Sequence, residues 1–385
     1  MGFKTNQTEF SYYTLIREIH QEADRCFLVL ERSEFFAEGG GQPSDQGTIA
    51  DHSVRSVYEV GNHTWHEIDN SAGLFEGMRV KVEIDAFFRL EMSRQHTGQH
   101  LLSALLEKEY GVRTLSFHIG PDTATIDTDQ PVDETVLEKV AHKINQIILH
   151  GLEVSSFIEP AERIRKLGLN SDAEFSGDVQ IIRIGDLDVS ACCGTHVNST
   201  QELLFFLVRK LEKHKTGSRV YFQFGRRALD FALDAVRIVQ DAKEQLEIHE
   251  TEIPFRLRLL VEQTQEDAQK ISELRTKLAM QMLKLPEYNQ PLVYQELDEE
   301  EDLIRSLALE LGRQKRNSVL LDLRELRIYG NIFKDTVKAG QLFREQKIPG
   351  VRGGGGANSF QGLADSVDEL IIFGRRLESV LEEIL

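Results

Sequence analysis

Two short clusters in this chain carry side chains of the types and spacing that hold a metal ion. His96-Thr-Gly-Gln-His100 sets two imidazoles four residues apart. On a helix that is one turn, so both rings leave the same face and can bond one ion. Cys192-Cys-Gly-Thr-His196 adds a thiol and a third imidazole directly after a strand-like run. Three nitrogens and one sulfur are a borderline-soft donor set, which favours Zn²⁺ over Mg²⁺ or Ca²⁺. His96, His100, Cys192 and His196 are therefore expected to share one zinc ion. A zinc peptidase would need Glu beside the first histidine as general base, and Thr97 stands there. Cys193 could serve as an alternative ligand; a nucleophilic role would require a depressed thiol pKa.

The elements that position these residues follow from periodicity. Residues 1–90 read as short strands and turns: Phe27–Glu31, Ser53–Val60 and Arg79–Ile84 alternate apolar and polar side chains. A small β-barrel is the simplest way for such strands to hide their edges. Within it Glu38-Gly-Gly-Gly-Gln-Pro43 forms a glycine-rich loop. From Leu90 the period becomes helical through Met92, His96, His100, Leu101 and Leu105, with Gly111 as a stop signal. A strand over Thr123–Asp127 and a helix over 133–150 follow. Further strands are expected at Val179–Ile184, Leu187–Ala191, Leu203–Leu207 and Arg219–Phe224. Residues 91–226 thus form an α+β domain. Residues 227–289 read as a helical hairpin linker broken near Thr251–Pro254. Residues 290–385 form an α/β unit, with strands near Leu292–Gln295 and Ser318–Asp322 and helices near Asp302–Gln314 and Asp335–Glu345. A glycine-rich loop over Pro349–Asn358 and a final helix complete it. The fold class is α+β and multidomain.

The 385 residues suit two or three domains. No apolar run approaches the roughly 18 residues that cross a bilayer, and Met1–Thr5 opens no apolar leader, so neither membrane nor secretion is expected. Only Cys26, Cys192 and Cys193 are present, two of them adjacent, which points to a reducing cytoplasm and not to a disulfide framework. The net charge of −18 would by itself argue against a nucleic-acid partner. The charge is segregated, however: residues 209–227 carry seven Lys and Arg against Glu212 alone, while 296–302 are almost wholly acidic.

At these residues the chain resembles the editing domain shared by alanyl-tRNA synthetase and the free-standing AlaX proteins. His96-x-x-x-His100-Leu-Leu and Cys192-x-Gly-Thr-His196 carry the likeness, with Glu34–Gly47, Ser116–Asp127 and Gly217–Ala228 in support. Residues from 290 onward, with Gly353–Gly356 and Phe360-Gln-Gly362, are similar to the C-terminal domain of alanyl-tRNA synthetase. Cys193 stands where the family has glycine, and Ala86 where it has tryptophan. The class II aminoacylation motifs are not found upstream of the barrel.

The resemblance implies an aminoacyl-tRNA hydrolase that edits in trans. Its substrate would be tRNA(Ala) carrying serine or glycine, a choice the sequence leaves open. The zinc would either lower the pKa of a water or hold substrate atoms while another water attacks. Thr97, Gln42, Ser116 and His118 are the candidates for polar pocket residues acting in catalysis, and Gly39, Gly40 and Gly41 for substrate contact. Lys213, Lys215 and Arg219 are the candidates for tRNA phosphates. A second copy of the chain, joined through the helical linker or the C-terminal unit, is a further candidate partner. Two other readings compete: a non-catalytic RNA-binding or dimerisation protein with structural zinc, and a phosphoesterase. The latter needs clustered Asp and His around two metals, and Asp51-His52 is an isolated pair.

Overall fold

In the computed structural model, residues 9–22, 25–160 and 177–385 are described, so the reading of Met1–Thr5 falls outside them. The chain divides into two units, Met1–Asp241 and Ala242–Leu385.

Alternation builds the first six strands. In β6 (Arg79–Ile84), Val80, Val82 and Ile84 are buried while Arg79 and Lys81 face outward. It closes a barrel with β1 (Ser11–Glu22), β2 (Arg25–Leu30), β3 (Gly47–Ile49), β4 (His52–Val60) and β5 (His63–Ile68), in the order β1-β2-β5-β4-β3-β6. Closure leaves no free edge, and Leu28, Phe35, Ile49, Val57 and Val82 fill the interior.

Helix α1 (Ala86–Tyr110) begins where the Asp85 carboxylate accepts the Phe88 amide and ends at Gly111, whose φ of 67° suits a left-handed cap. Arg89 near its start grips Asp45 of the barrel through a buried ion pair, with Nε 2.7 and 2.9 Å from the two carboxylate oxygens. Beyond it lie β7 (Thr114–Ile119), β8 (Ala124–Thr128), α2 (Glu134–His150), β9 (Val154–Pro160), β10 (Asp178–Ile184), β11 (Asp188–Ala191), β12 (Phe206–His214) and β13 (Gly217–Phe224). They make two antiparallel sheets, β12-β13-β8-β7 and β11-β10-β9. Leu101, Leu105, Ile126, Ile144, Ile182, Phe222 and Phe224 share one core between these sheets and the helices. The strand expected at Leu203–Leu207 starts only at Phe206. Thr200–Leu203 is instead a 3₁₀ turn, capped by Ser199 and closed by Leu204 at φ 61°.

Helix α3 (Gly225–Leu246) leads across the boundary between the units, and α4 (Ile253–Met282) lies in the second. The expected break is present, but Pro254 sits in the first turn of α4, where no intrahelical N–H is lost. The second unit then holds β14 (Leu292–Leu297), α5 (Glu301–Arg313), β15 (Asn317–Asp322), β16 (Arg327–Asn331), α6 (Ala339–Glu345), β17 (Val351–Gly355), β18 (Ser359–Ala364) and α7 (Val367–Ile384). Their sheet runs β14-β15-β16-β18-β17, with only β14 and β15 parallel.

Two expectations need correction here. The glycine-rich segment 349–358 contains strand β17, because its glycines let backbones close in: a Cβ on Gly355 would lie 2.0 Å from the Ser359 carbonyl oxygen. The helix expected from Asp335 begins at Ala339, preceded by a turn at 335–336. Among the described residues no helix is long and apolar enough to cross a membrane.

Candidate metal centre

Helix α1 and the loop after β11 bring the two sequence clusters together. The ligating atoms of His96, His100, Cys192 and His196 all lie within 4.8 Å of one another. The three ring centroids are 4.8–5.4 Å apart, and Cys192 Sγ is 3.2 Å from His96 Nε2. A tetrahedral divalent ion with bonds of about 2.0–2.3 Å asks for ligand atoms about 3.3–3.8 Å apart, close to what these side chains offer. His196 Nε2 is buried and, among the described residues, has no hydrogen-bond partner, an atom that costs free energy unless something takes its lone pair. The residues present therefore fit a metal ion.

Each imidazole is held from behind. His100 Nδ1 is 3.0 Å from Asp188 Oδ2, so it donates there and leaves Nε2 for an ion. His196 Nδ1 lies 3.0 Å from the Thr97 hydroxyl, which also accepts the Val197 amide. His96 Nδ1 lies 2.8 Å from Gln42 Oε1. Helix α1 can expose His96 and His100 on one face only because its opposite face seats tightly. Gly98 meets the Phe224 ring, and the Gln95 amide bonds both backbone groups of Phe224.

The charges follow from the packing. Burial opposes ionisation of Cys192, but the facing imidazoles of His96, His100 and His196 hold its thiol well below the ordinary range. Burial likewise opposes the charged form of His100, yet the bonds to Asp188 and Cys192 raise it to about 10. Burial dominates at His196 and lowers it to about 4. Cys193 is on the surface; partial burial and the neighbouring Cys192 raise its thiol, the reverse of what a nucleophile needs.

The remaining sequence candidates are placed as follows. Gln42 and Thr97 are at the cluster but buried, their polar atoms bonded to protein partners. Gly40 and Gly41, with φ of 58° and 80°, form a tight turn closed by hydrogen bonds between Gly39 and Gln42. The Gly41 carbonyl accepts the Ile119 amide, which docks this barrel loop on β7. Ser116 and His118 do not join the cluster. On β7 it is Phe117 that packs 5.2 Å from His96, so the pleat sends its two neighbours to the other face, where Ser116 donates to Asp127. Lys213 and Lys215 are exposed at the β12–β13 turn, whereas Arg219 is committed to Asp127 at 2.6 and 2.8 Å.

Asp188, Thr195 and Phe117 are site residues that sequence reasoning passed over. A carboxylate in a strand four residues before a metal cysteine was a usable signal for Asp188, since strands are poor in Asp and metal-bound histidines seek such a partner.

Residues 179–221 match the family described as the threonyl and alanyl tRNA synthetase second additional domain. The chain is 36% identical over 226 residues to alanyl-tRNA editing protein AlaX-L of Pyrococcus horikoshii, covering 56% of this chain and 55% of that one. It is 35% identical over 209 residues to alanyl-tRNA editing protein Aarsd1 of Rattus norvegicus, covering 52% and 50%. It is 30% identical over 275 residues to the putative alanyl-tRNA editing protein alaX of Saccharomyces cerevisiae, covering 62% and 59%. The chain thus spans about half the length of the curated relatives it matches.

Proposed function

We propose, from this kinship and the four-residue cluster together, that the chain is an aminoacyl-tRNA hydrolase. It removes a wrongly attached amino acid from tRNA(Ala), apart from the synthetase that charged it. The convergence of His96, His100, Cys192 and His196 within 4.8 Å carries the proposal, supported by the match of residues 179–221, which hold two of them, to the threonyl and alanyl tRNA synthetase second additional domain.

Water attacks the ester that joins the amino acid to the terminal ribose. That ester is already activated, so the site chiefly positions it and stabilises the developing oxyanion. Three imidazoles and a thiolate are a donor set that favours zinc, which when bound would supply Lewis-acid charge for the ester carbonyl. Asp188, Thr97 and Gln42 keep the three rings aimed at one point. The exposed turn at Gly39 and Gly40 forms the rim against which the substrate rests, its backbone open to close approach. Serine is the amino acid removed, with glycine as the alternative; a site that hydrogen-bonds a hydroxyl accepts serine and rejects alanine because its own polar groups would stay unpaired.

The domains are read as a barrel over 1–90, an editing domain over 91–226, a helical hairpin linker over 227–289 and a C-terminal domain over 290–385. Lys213 and Lys215 reach tRNA phosphates. The C-terminal unit adds a shallow groove of about 650 Å³ lined by Arg327, Tyr329, Arg352 and Gln361. Exposed Leu257, Val261, Ile271, Leu274 and Leu278 on α4 suit pairing with a second copy. The protein works in the cytoplasm, where its tRNA is.

The test is hydrolysis of seryl-, glycyl- and alanyl-tRNA(Ala) by purified protein and by His100→Ala. The proposal expects seryl- or glycyl-tRNA to be cleaved, alanyl-tRNA to be spared, and the variant to be folded but inactive. A second reading draws on the fully protein-supplied ligand set, a closed arrangement seen in structural zinc sites. Zinc-loaded protein that cleaves none of the three esters would favour it.

A further inference from the structure

We propose that Gln42, delivered by the glycine-rich turn of the barrel, is a positioning residue that fixes the tautomer of His96 and thereby sets the metal affinity of the centre. The proposal rests on the metal reading above. Gln42 is 1% exposed and touches both ligand-bearing segments at once. Its Oε1 lies 3.1 Å from the Thr195 amide nitrogen and 2.8 Å from His96 Nδ1, and its Nε2 lies 2.8 Å from the Thr195 hydroxyl.

Donor and acceptor chemistry allows one assignment. A backbone N–H only donates, so the Gln42 atom facing Thr195 N is the carbonyl oxygen. That same oxygen faces His96 Nδ1, which must then carry a proton. His96 Nε2 is left with its lone pair, 3.2 Å from Cys192 Sγ and among the other ligands. The amide cannot profitably flip. Its NH₂ donates into a relay in which the Thr195 hydroxyl bonds Ser93 Oγ at 2.7 Å and Ser93 bonds the Arg89 carbonyl at 2.8 Å. Reversing the amide would set an NH₂ against the Thr195 N–H inside a buried site.

The turn exists to present this side chain. Gly40 and Gly41 hold left-handed φ values, and a Cβ on Gly41 would lie 2.3 Å from the Phe117 carbonyl oxygen. Gly194, the residue before Thr195, is equally constrained: a Cβ there would lie 2.1 Å from His96 Cε1 and 3.1 Å from Gln42 Oε1. One amide from the barrel thus ties helix α1 to the Cys192–His196 loop, and removing it frees the His96 ring to rotate or change tautomer.

The test reads zinc affinity by chelator competition, with circular dichroism and melting to verify folding. Gln42→Ala and the space-filling Gln42→Met should each weaken zinc binding ~10–100-fold. Gln42→Glu should recover part of it, because a carboxylate still accepts from His96 Nδ1 and Thr195 N, although the Thr195 hydroxyl must turn to donate to it and one hydroxyl contact of the relay, which ends on the Arg89 carbonyl, is lost. Unchanged affinity in folded Gln42→Ala, or no rescue by Glu, overturns the proposal. A readout that needs no variant is the ¹⁵N pattern of the His96 imidazole in zinc-loaded wild type: a proton on Nδ1 is required, and one on Nε2 refutes the assignment. Wild-type protein that binds no zinc would overturn the metal reading itself, an outcome distinct from either of these.

Discussion

His100 Nδ1 stands 3.0 Å from Asp188 Oδ2, a contact that joins the helix carrying His96 and His100 to the strand leading to Cys192. Asp188 is itself braced by the Ser190 hydroxyl, which donates to its other oxygen at 2.6 Å. Removing the carboxylate leaves His100 free to rotate. Asp188→Ala should lower zinc affinity ~10–100-fold, with Asp188→Asn in between because its amide oxygen still accepts. Chelator competition measures both; equal affinity in all three proteins would show that Asp188 does not orient the ring.

Gly98 lies between the two helical histidines, where alanine would ordinarily favour the helix by ~1 kcal/mol. Here the Cβ of an alanine would fall 2.3 Å from two carbons of the buried Phe224 ring. Overpacking of this kind costs ~1–3 kcal/mol. Gly98→Ala should therefore lower the unfolding free energy in denaturant titration, and a stabilised variant would contradict the packing described.

Arg219 and Asp127 form a bidentate pair that holds the Asp127 carboxyl down at about 2, chiefly through the Arg219 hydrogen bonds. A carboxyl lowered by folding contributes stability above its unfolded pKa near 3.8 and loses it as pH falls toward 2. Arg219→Ala should lose ~1–2 kcal/mol at neutral pH, after allowance for solvent screening, and the gap from wild type should narrow between pH 4 and 2. Parallel stability curves through that window would show that the pair contributes nothing.

Lys213 and Lys215 remain unpaired in the described contacts and exposed, whereas the charge of Arg219 is already neutralised. Replacing both lysines by alanine should reduce the slope of log affinity for tRNA against log salt by ~1.5–2, and Arg219→Ala should leave that slope alone. An unchanged slope in the lysine variant would remove this hairpin from the tRNA surface.

The four clustered residues His96, His100, Cys192 and His196 were legible because helical spacing and a post-strand loop each write a local pattern. The barrel strands were legible for the same reason, since Val80, Val82 and Ile84 alternate with polar neighbours. What the sequence hid depends on which distant groups meet. Gln42 is legible as a pocket candidate, but its partner His96, 54 positions away, is set only by how the barrel docks. Ser116 and His118 lie beside Phe117 in sequence but on the opposite face in space, a matter of strand parity that pairing decides. The Gly353–Gly355 stretch looked like a loop because its value as a strand lies in what a Cβ would strike.

The most direct measurement is the anomalous difference map of a zinc-loaded crystal, recorded above and below the zinc absorption edge. The account predicts one peak bonded to Nε2 of His96, His100 and His196 and to Sγ of Cys192. An ion bound elsewhere, or no peak among those four atoms, would contradict it.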